Sequence, residues 1–391
     1  MENQLSNGFV NNGLKARIAG SAFAFRGYNV TNLGKSPELL AHPAYGPTVR
    51  RVLDDVSEIC ADKAGMEFDL VRDVRERRGT TLKTFARDVA LIVGMEIAQI
   101  DLLKEFFGLG VGDAKLMFGY SIGELSALVA GKVFEVDQIL PIPVVLAPDC
   151  AELARDVTMG ILFTRGPVLR MEEVKRLCVQ VSSEGEGLIF PSAYLAPNTV
   201  LLLGQGSTIS RFVDLMHERF SEKVYLKRNK NRWPPMHTPL LWERHIGNRT
   251  ATMLHKVAGG FTAPIPKVIS CVTGGATYND FNSRETLTKW VDHPQLLWDV
   301  VYKTLSEGVH LVIHVGPEPN LIPGTFQRLR TTVAAQLDKR LLTRWGGWVA
   351  SGIVRRNPWV GAMMSSNAAL LHAPFVDQII LEDWLLEQKV E

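Results

Sequence analysis

The pentapeptide Gly119-Tyr120-Ser121-Ile122-Gly123 stands between an apolar run, AKLMF at 114–118, and a small-residue stretch, ELSALVAG at 124–131. The run has the length and content of a buried strand, and the stretch has those of a helix. G-x-S-x-G in that setting is a nucleophile elbow. The serine takes a sharp strand-to-helix turn with strained backbone, and the glycines are required where neighbouring main chain leaves no room for a Cβ. The helix behind the serine points its free N–H groups and positive end at it, which opposes the negative charge formed when a hydroxyl attacks a carbonyl. Ser121 is therefore the candidate nucleophile.

The remaining chain supplies a frame for such a turn. Residues 1–16, rich in Asn and Gly, are expected to be a flexible lead-in to the first part of a large subdomain over 17–156. AFAF at 22–25 reads as a buried strand ended by the turn RGYN at 26–29. From Ser36 to Phe107, apolar residues recur three and four apart, as in helices that bury one face. Over 157–230 the rhythm changes, and the strand candidates GILF, GLIFPSAYL, TVLLLG and KVYL alternate with helices around MEEVKRLCVQV and TISRFVDLMHERF. That order predicts a small β-α-β-β-α-β, ferredoxin-like subdomain inserted into the larger one. Strand signals return over 231–330 at KVISCVT and HLVIHVG, with a helix expected at PQLLWDVVYKTLSEG between them. The expected fold is α/β: an α/β-hydrolase-like large subdomain with a mostly parallel sheet, plus the insert. A C-terminal extension, 331–391, is expected to end in a capping helix over about 374–388, with Trp345, Trp348 and Trp359 packed in a core.

Composition excludes several classes of function. With 43 basic and 41 acidic residues the net charge is +2, so no global field recruits nucleic acid. No apolar run reaches the roughly 18–20 residues of a membrane-spanning helix. The polar N-terminus lacks the basic-then-apolar order of a secretory signal, so a cytoplasmic protein without membrane contact is expected. Cys60, Cys150, Cys178 and Cys271 show no CxxC spacing, which predicts reduced buried thiols and no metal site. Gly204-Gln205-Gly206 lacks the third glycine of a dinucleotide fingerprint.

GYSIGELSALVAGKV (119–133) resembles the GHSxGE block of malonyl-CoA:acyl-carrier-protein transacylases and the acyltransferase domains of fatty acid and polyketide synthases. Further blocks follow in that family's order. AFAFRGYN (22–29) is similar to a strand ending in PGQG, APNTVLLLG (196–204) to a strand of the small subdomain, PMHTPLL (235–241) to PFHSPLM, and GVHLVIHVGPEPNLI (308–322) to the closing strand and turn. The likeness runs from about residue 17 to 330. It implies a Ser-His pair of Ser121 and His237, with backbone N–H groups of Tyr28 and Ile122 as oxyanion donors. It also implies acyl-CoA and carrier-protein phosphopantetheine as substrates, an acyl carrier protein or synthase module as partner, and no permanently bound cofactor.

The sequence departs from that pattern at the substrate end. Tyr120 replaces the histidine before the serine, and the turn glycine becomes Asn29, a residue that tolerates left-handed backbone. The arginine expected about 25 residues after the serine is Leu146, in a segment whose prolines disfavour an uninterrupted helix. That arginine implies carboxylate recognition, so its loss favours a neutral acyl group. Arg87 and Arg26 are the candidates for a relocated guanidinium. KVYLKRNKNR (223–232) offers a basic approach surface for an acidic carrier or for CoA phosphates. An acyl thioester hydrolase using the same pair, and a non-catalytic docking homologue, remain alternative readings.

Overall fold

The computed structural model describes residues 13–165, 168–330 and 368–390. Positions 1–12 of the expected lead-in, and Trp345, Trp348 and Trp359 of the extension, lie outside the described residues. Residues 13–17 are helical rather than loose, and Leu14 is buried in the core.

Two sheets organise the molecule. The first has the order β7-β2-β1-β8-β9, from β1 (Ser21–Phe25), β2 (Leu116–Gly119), β7 (Val268–Ile269), β8 (Leu311–Val315) and β9 (Asp377–Ile380). All of its pairings are parallel. SAFAF, LMFG and LVIHV are buried at every position. A parallel sheet covered on both faces requires such unbroken apolar runs, which is why these strands show no alternation. β1 is central, with β2 on one side and β8 on the other. The loops leaving the carboxyl ends of β1, β2 and β8 therefore meet at a topological switch point, where open α/β sheets hold their ligands.

The second sheet is antiparallel, with the order β4-β5-β3-β6, from β3 (Val157–Thr164), β4 (Ile189–Ala196), β5 (Thr199–Gln205) and β6 (Val224–Arg232). Its connectivity is β-α-β-β-α-β. Here the residues alternate: Leu162, Val200 and Leu202 pack with the Met171–Ser183 and Thr208–Arg219 helices, while Met159, Leu201 and Leu203 join the core shared with the first sheet. The ferredoxin-like sheet thus presents its other face to the parallel one.

Three local expectations are corrected. Pro141–Leu153 is one continuous helix despite its prolines. Pro141 opens it, where a missing N–H costs nothing because first-turn donors have no intrahelical acceptor, and only Pro148 interrupts the ladder. The expected helix at 374–388 is instead a 3-10 segment (Ala368–Phe375), strand β9, and a short helix Leu381–Glu387. The helix expected from Pro294 begins only at Leu297, because the main chain of Gln295 is bonded to Ser192 and Tyr194 and the Leu296 N–H donates to the Cys271 carbonyl. Among the described residues, no helix is long and apolar enough to cross a membrane.

Candidate active site

Ser121 follows β2 directly and precedes the Ile122–Ala130 helix. Its backbone takes φ 56° and ψ −122°, a sparsely populated conformation for any residue with a Cβ. Packing explains how the strain is held. A Cβ on Gly123 would lie 2.4 Å from the carbonyl oxygens of Phe25 and Arg26, and one on Gly119 would lie 2.0 Å from the Gly123 carbonyl carbon. The two glycines let β1, β2 and the helix close on one another, and the serine between them takes the turn.

His237 lies 116 positions away and completes the pair. Its Nδ1 is 2.7 Å from the Trp290 carbonyl oxygen, which can only accept, so Nδ1 carries the proton. Nε2 is therefore bare and accepts from Ser121 Oγ at 2.7 Å. This is the tautomer a general base for serine needs. The ring is 3% exposed, and burial holds its pKa down to about 4, against a weaker opposing pull from the Trp290 carbonyl and Asp292. The imidazole is neutral at physiological pH.

The backbone groups expected as oxyanion donors border the same space. Ile122 is the first residue of its helix, so its N–H has no intrahelical acceptor. Tyr28, in the loop after β1, and Ile122 both line the cavity with Ser121. Asn29 does not adopt a positive φ, so the left-handed tolerance expected of it is not used. Its side chain instead donates to the Pro319 carbonyl and accepts from the Val30 N–H.

Neither relocated arginine reaches the cavity. Arg26 is fully buried and donates to the carbonyls of Gly27 and Pro317 and to Asn32 Oδ1. Burial lowers its pKa to about 10, while the nearby Glu96, Glu318 and Glu382 charges oppose that fall. It clamps the loop after β1 to the loop after β8. Arg87 is spent on Asp88 Oδ1 and the Gly79 carbonyl. Both side chains are consumed by structure, because a buried guanidinium must satisfy its donors locally.

Leu146 and Tyr120 do line the cavity, which has a volume of about 220 Å³. Ile142, Leu146 and Cys150 face it from the Pro141–Leu153 helix, and Met159, Ile161, Leu195 and Leu201 face it from the second sheet. Among the described residues no Asp, Glu, Lys or Arg lines it. The Tyr28 ring meets Phe85 and Trp233 edge-on, at centroid distances of 4.8 and 5.4 Å. Lys227, Arg228, Lys230 and Arg232 are exposed on β6, the outer strand of its sheet, and Asn229 of the same strand lines the cavity.

A crystal structure of an acyl carrier protein S-malonyltransferase from Vibrio cholerae superimposes with a TM-score of 0.63 at 21% identity, covering 76% of this chain and 90% of that one. A malonyl-transacylase in complex with its type II polyketide acyl-carrier protein gives 0.60 at 19% identity, covering 76% and 89%. This chain has the malonyltransferase fold. A polyketide synthase of Streptomyces halstedii is 25% identical over 311 residues, which are 78% of this chain. The chain spans about 4% of that synthase's length. No family model matches.

Within the malonyltransferase fold, three further positions hold the site, two of them without any motif to announce them. Trp290 accepts from His237 through its carbonyl and donates from its indole Nε1 to the Ser121 carbonyl at 2.9 Å. Gln295 Oε1 accepts from the Ser121 N–H at 3.2 Å. Glu124 is fully buried, with its pKa raised to about 7 by burial, and accepts from the Cys271 N–H and the Tyr278 hydroxyl. Only Glu124 lies inside a recognisable block; the other two sit where the sequence shows an ordinary amphipathic helix and its connector.

Proposed function

We propose that this chain moves a neutral acyl group from CoA to the phosphopantetheine thiol of an acyl carrier protein, through an ester on Ser121. The observation that carries the reading is the 2.7 Å contact between Ser121 Oγ and the unprotonated Nε2 of a buried His237. Oγ attacks the thioester carbonyl while its proton passes to Nε2, and the N–H groups of Ile122 and Tyr28 receive the oxyanion. Collapse expels CoA as its thiol, which takes that proton from Nε2. The incoming carrier thiol gives its proton to Nε2, attacks the Ser121 ester, and leaves as the new thioester while Oγ recovers the proton.

The uncharged lining of the cavity supports a neutral acyl group over malonyl. A malonyl carboxylate there would be desolvated without a counter-charge, at a cost of roughly several kcal/mol. The exposed basic β6 strand beside the cavity supports an acidic partner or a phosphate-bearing one. The similarity to a synthase and to a carrier-bound transacylase points the same way.

Intact-mass spectrometry after mixing with acetyl-, butyryl- or malonyl-CoA tests the proposal. The expected result is an acyl adduct with the first two, absent in Ser121→Ala and discharged onto added holo carrier protein. Release of free acid without transfer would make the chain a thioester hydrolase. No adduct with any donor would leave a docking homologue.

A further inference from the structure

The segment from Trp290 to Gln295 touches the Ser121–His237 pair at three points. Trp290 Nε1 holds the Ser121 carbonyl, the Trp290 carbonyl holds His237 Nδ1, and Gln295 Oε1 holds the Ser121 N–H. Both peptide groups flanking the strained serine are thus bonded to side chains of this one segment. The path of the segment explains how six residues achieve this. The Ser283–Asp292 helix stops at His293, which is extended as a residue before proline prefers. Pro294 follows, and Gln295 runs as a single parallel bridge against Ala193 of β4. The Tyr194 N–H donates to the Gln295 carbonyl, and the Gln295 N–H donates to the Ser192 carbonyl, each at 2.8 Å.

Gln295 therefore has its main chain in the second sheet and its side chain on the nucleophile of the first. The Ser192 hydroxyl extends this contact by donating to the Met236 carbonyl, next to His237, at 3.0 Å. The amide orientation follows from the chemistry, because the Ser121 N–H requires an oxygen. Nε2 is then buried without a partner, and an unpaired buried donor costs about 1–3 kcal/mol. A fully buried amide that uses only its oxygen is unfavourable as packing. Its contribution is the contact to Ser121.

We infer that Gln295 is a positioning residue: it fixes the nucleophile's backbone and ties that geometry to the placement of the second sheet, which forms the opposite wall of the acyl cavity. Movement of that sheet, when an acyl group or a carrier protein seats against it, is transmitted to the Ser121 peptide through one side chain. In kinetic terms Gln295 acts on the chemical step and not on ground-state binding, since it does not line the cavity. The kinetic part of this inference rests on the proposed acyl transfer, and the structural part does not.

Gln295→Leu and Gln295→Glu test it, with two readouts. In Gln295→Leu the Ser121 N–H loses its acceptor. Acylation should slow about 10²-fold with KM for acyl-CoA unchanged. The Ser121 amide should exchange its hydrogen faster, and the melting temperature should confirm a folded protein. Gln295→Glu keeps an acceptor oxygen, and with its carboxyl protonated it should restore most of the rate. That rate should fall as the pH is raised through the carboxyl's pKa, because a negative charge beside the oxyanion opposes the transition state. Wild type should lack this limb. Unchanged Ser121 exchange together with unchanged acylation in Gln295→Leu would overturn the inference. If wild type forms no acyl adduct while Gln295→Leu still speeds Ser121 exchange, the proposed function fails and the positioning role stands.

Discussion

His237 and Leu146 define what the site does at the level of single side chains. A neutral imidazole accepts the serine proton and a protonated one cannot, so the proposed acylation requires the deprotonated form. Burial holds its pKa down to about 4, which places the acid limb of the acylation rate there and not at the ordinary 6.5. The rate of adduct formation followed from pH 8 to 3.5 should stay level through pH 6 and fall tenfold per unit below about 4. A limb near 6.5 would mean the ring is solvated during that step. Leu146 makes a complementary argument. It is 4% exposed in a cavity without a cation, so Leu146→Arg brings the missing counter-charge at a cost in stability of roughly several kcal/mol. The ratio of malonyl to acetyl adduct should rise at least about tenfold, since one well-placed ion pair outweighs a methylene contact. An unchanged ratio would show that the acyl group does not approach this helix face.

Elements were legible in the sequence wherever local pattern and local geometry coincide. The elbow was readable because steric exclusion at Gly119 and Gly123 leaves only glycine. The ferredoxin-like insert was readable because its short apolar strand segments alternate with two amphipathic helices in β-α-β-β-α-β order. Strand β9 was hidden: DQII runs directly into a helical stretch, and its strand state comes from pairing with β8 more than 60 residues earlier. Gln295 was hidden for a related reason, since its partners Ala193 and Ser121 are set by tertiary structure alone. The arginines misled because their chemistry suits both a carboxylate clamp and a buried strut, and only burial separates the two. The Pro141–Leu153 helix misled in the opposite sense. Its first prolines fall in the turn that needs no N–H, and Pro148 is exposed, so its ring is not required for packing. Pro148→Ala should therefore restore the bond to the Val144 carbonyl and stabilise the protein by about 1–3 kcal/mol, read as a higher melting temperature. No gain would mean that restriction of the unfolded chain by proline offsets the lost hydrogen bond.

Across the whole molecule, buried carboxyls join segments that are distant in sequence. Glu96 accepts from the Arg26 N–H, Glu124 from Cys271 and Tyr278, and Glu382 from the N–H groups of Lys35 and Glu318. Burial raises all three, Glu124 and Glu382 to about 7. A carboxyl whose folded pKa is raised stabilises the fold fully below its unfolded pKa, and that contribution is lost as pH rises through the folded value. His237 and His314 act in the opposite sense. Burial holds each near 4, so their contribution is present above about 6.5 and is lost as pH falls toward 4. Between about 4.5 and 6.5 the two sets oppose each other. From 6.5 to 8 the histidines add only the tail of their unfolded-state titration, a small gain, while the three carboxyls lose their protons in the fold, a larger loss, so net stability falls as pH rises. Urea denaturation at pH 6.5 and pH 8 should show a loss of about 1–3 kcal/mol. Glu124→Gln should remove its share of that slope, because an amide holds one state throughout. A stability that stays flat from 6.5 to 8 would mean these carboxylates are already ionised in the fold, with water or counter-charges reaching them, and the three junctions would then be ionic contacts instead of neutral hydrogen bonds.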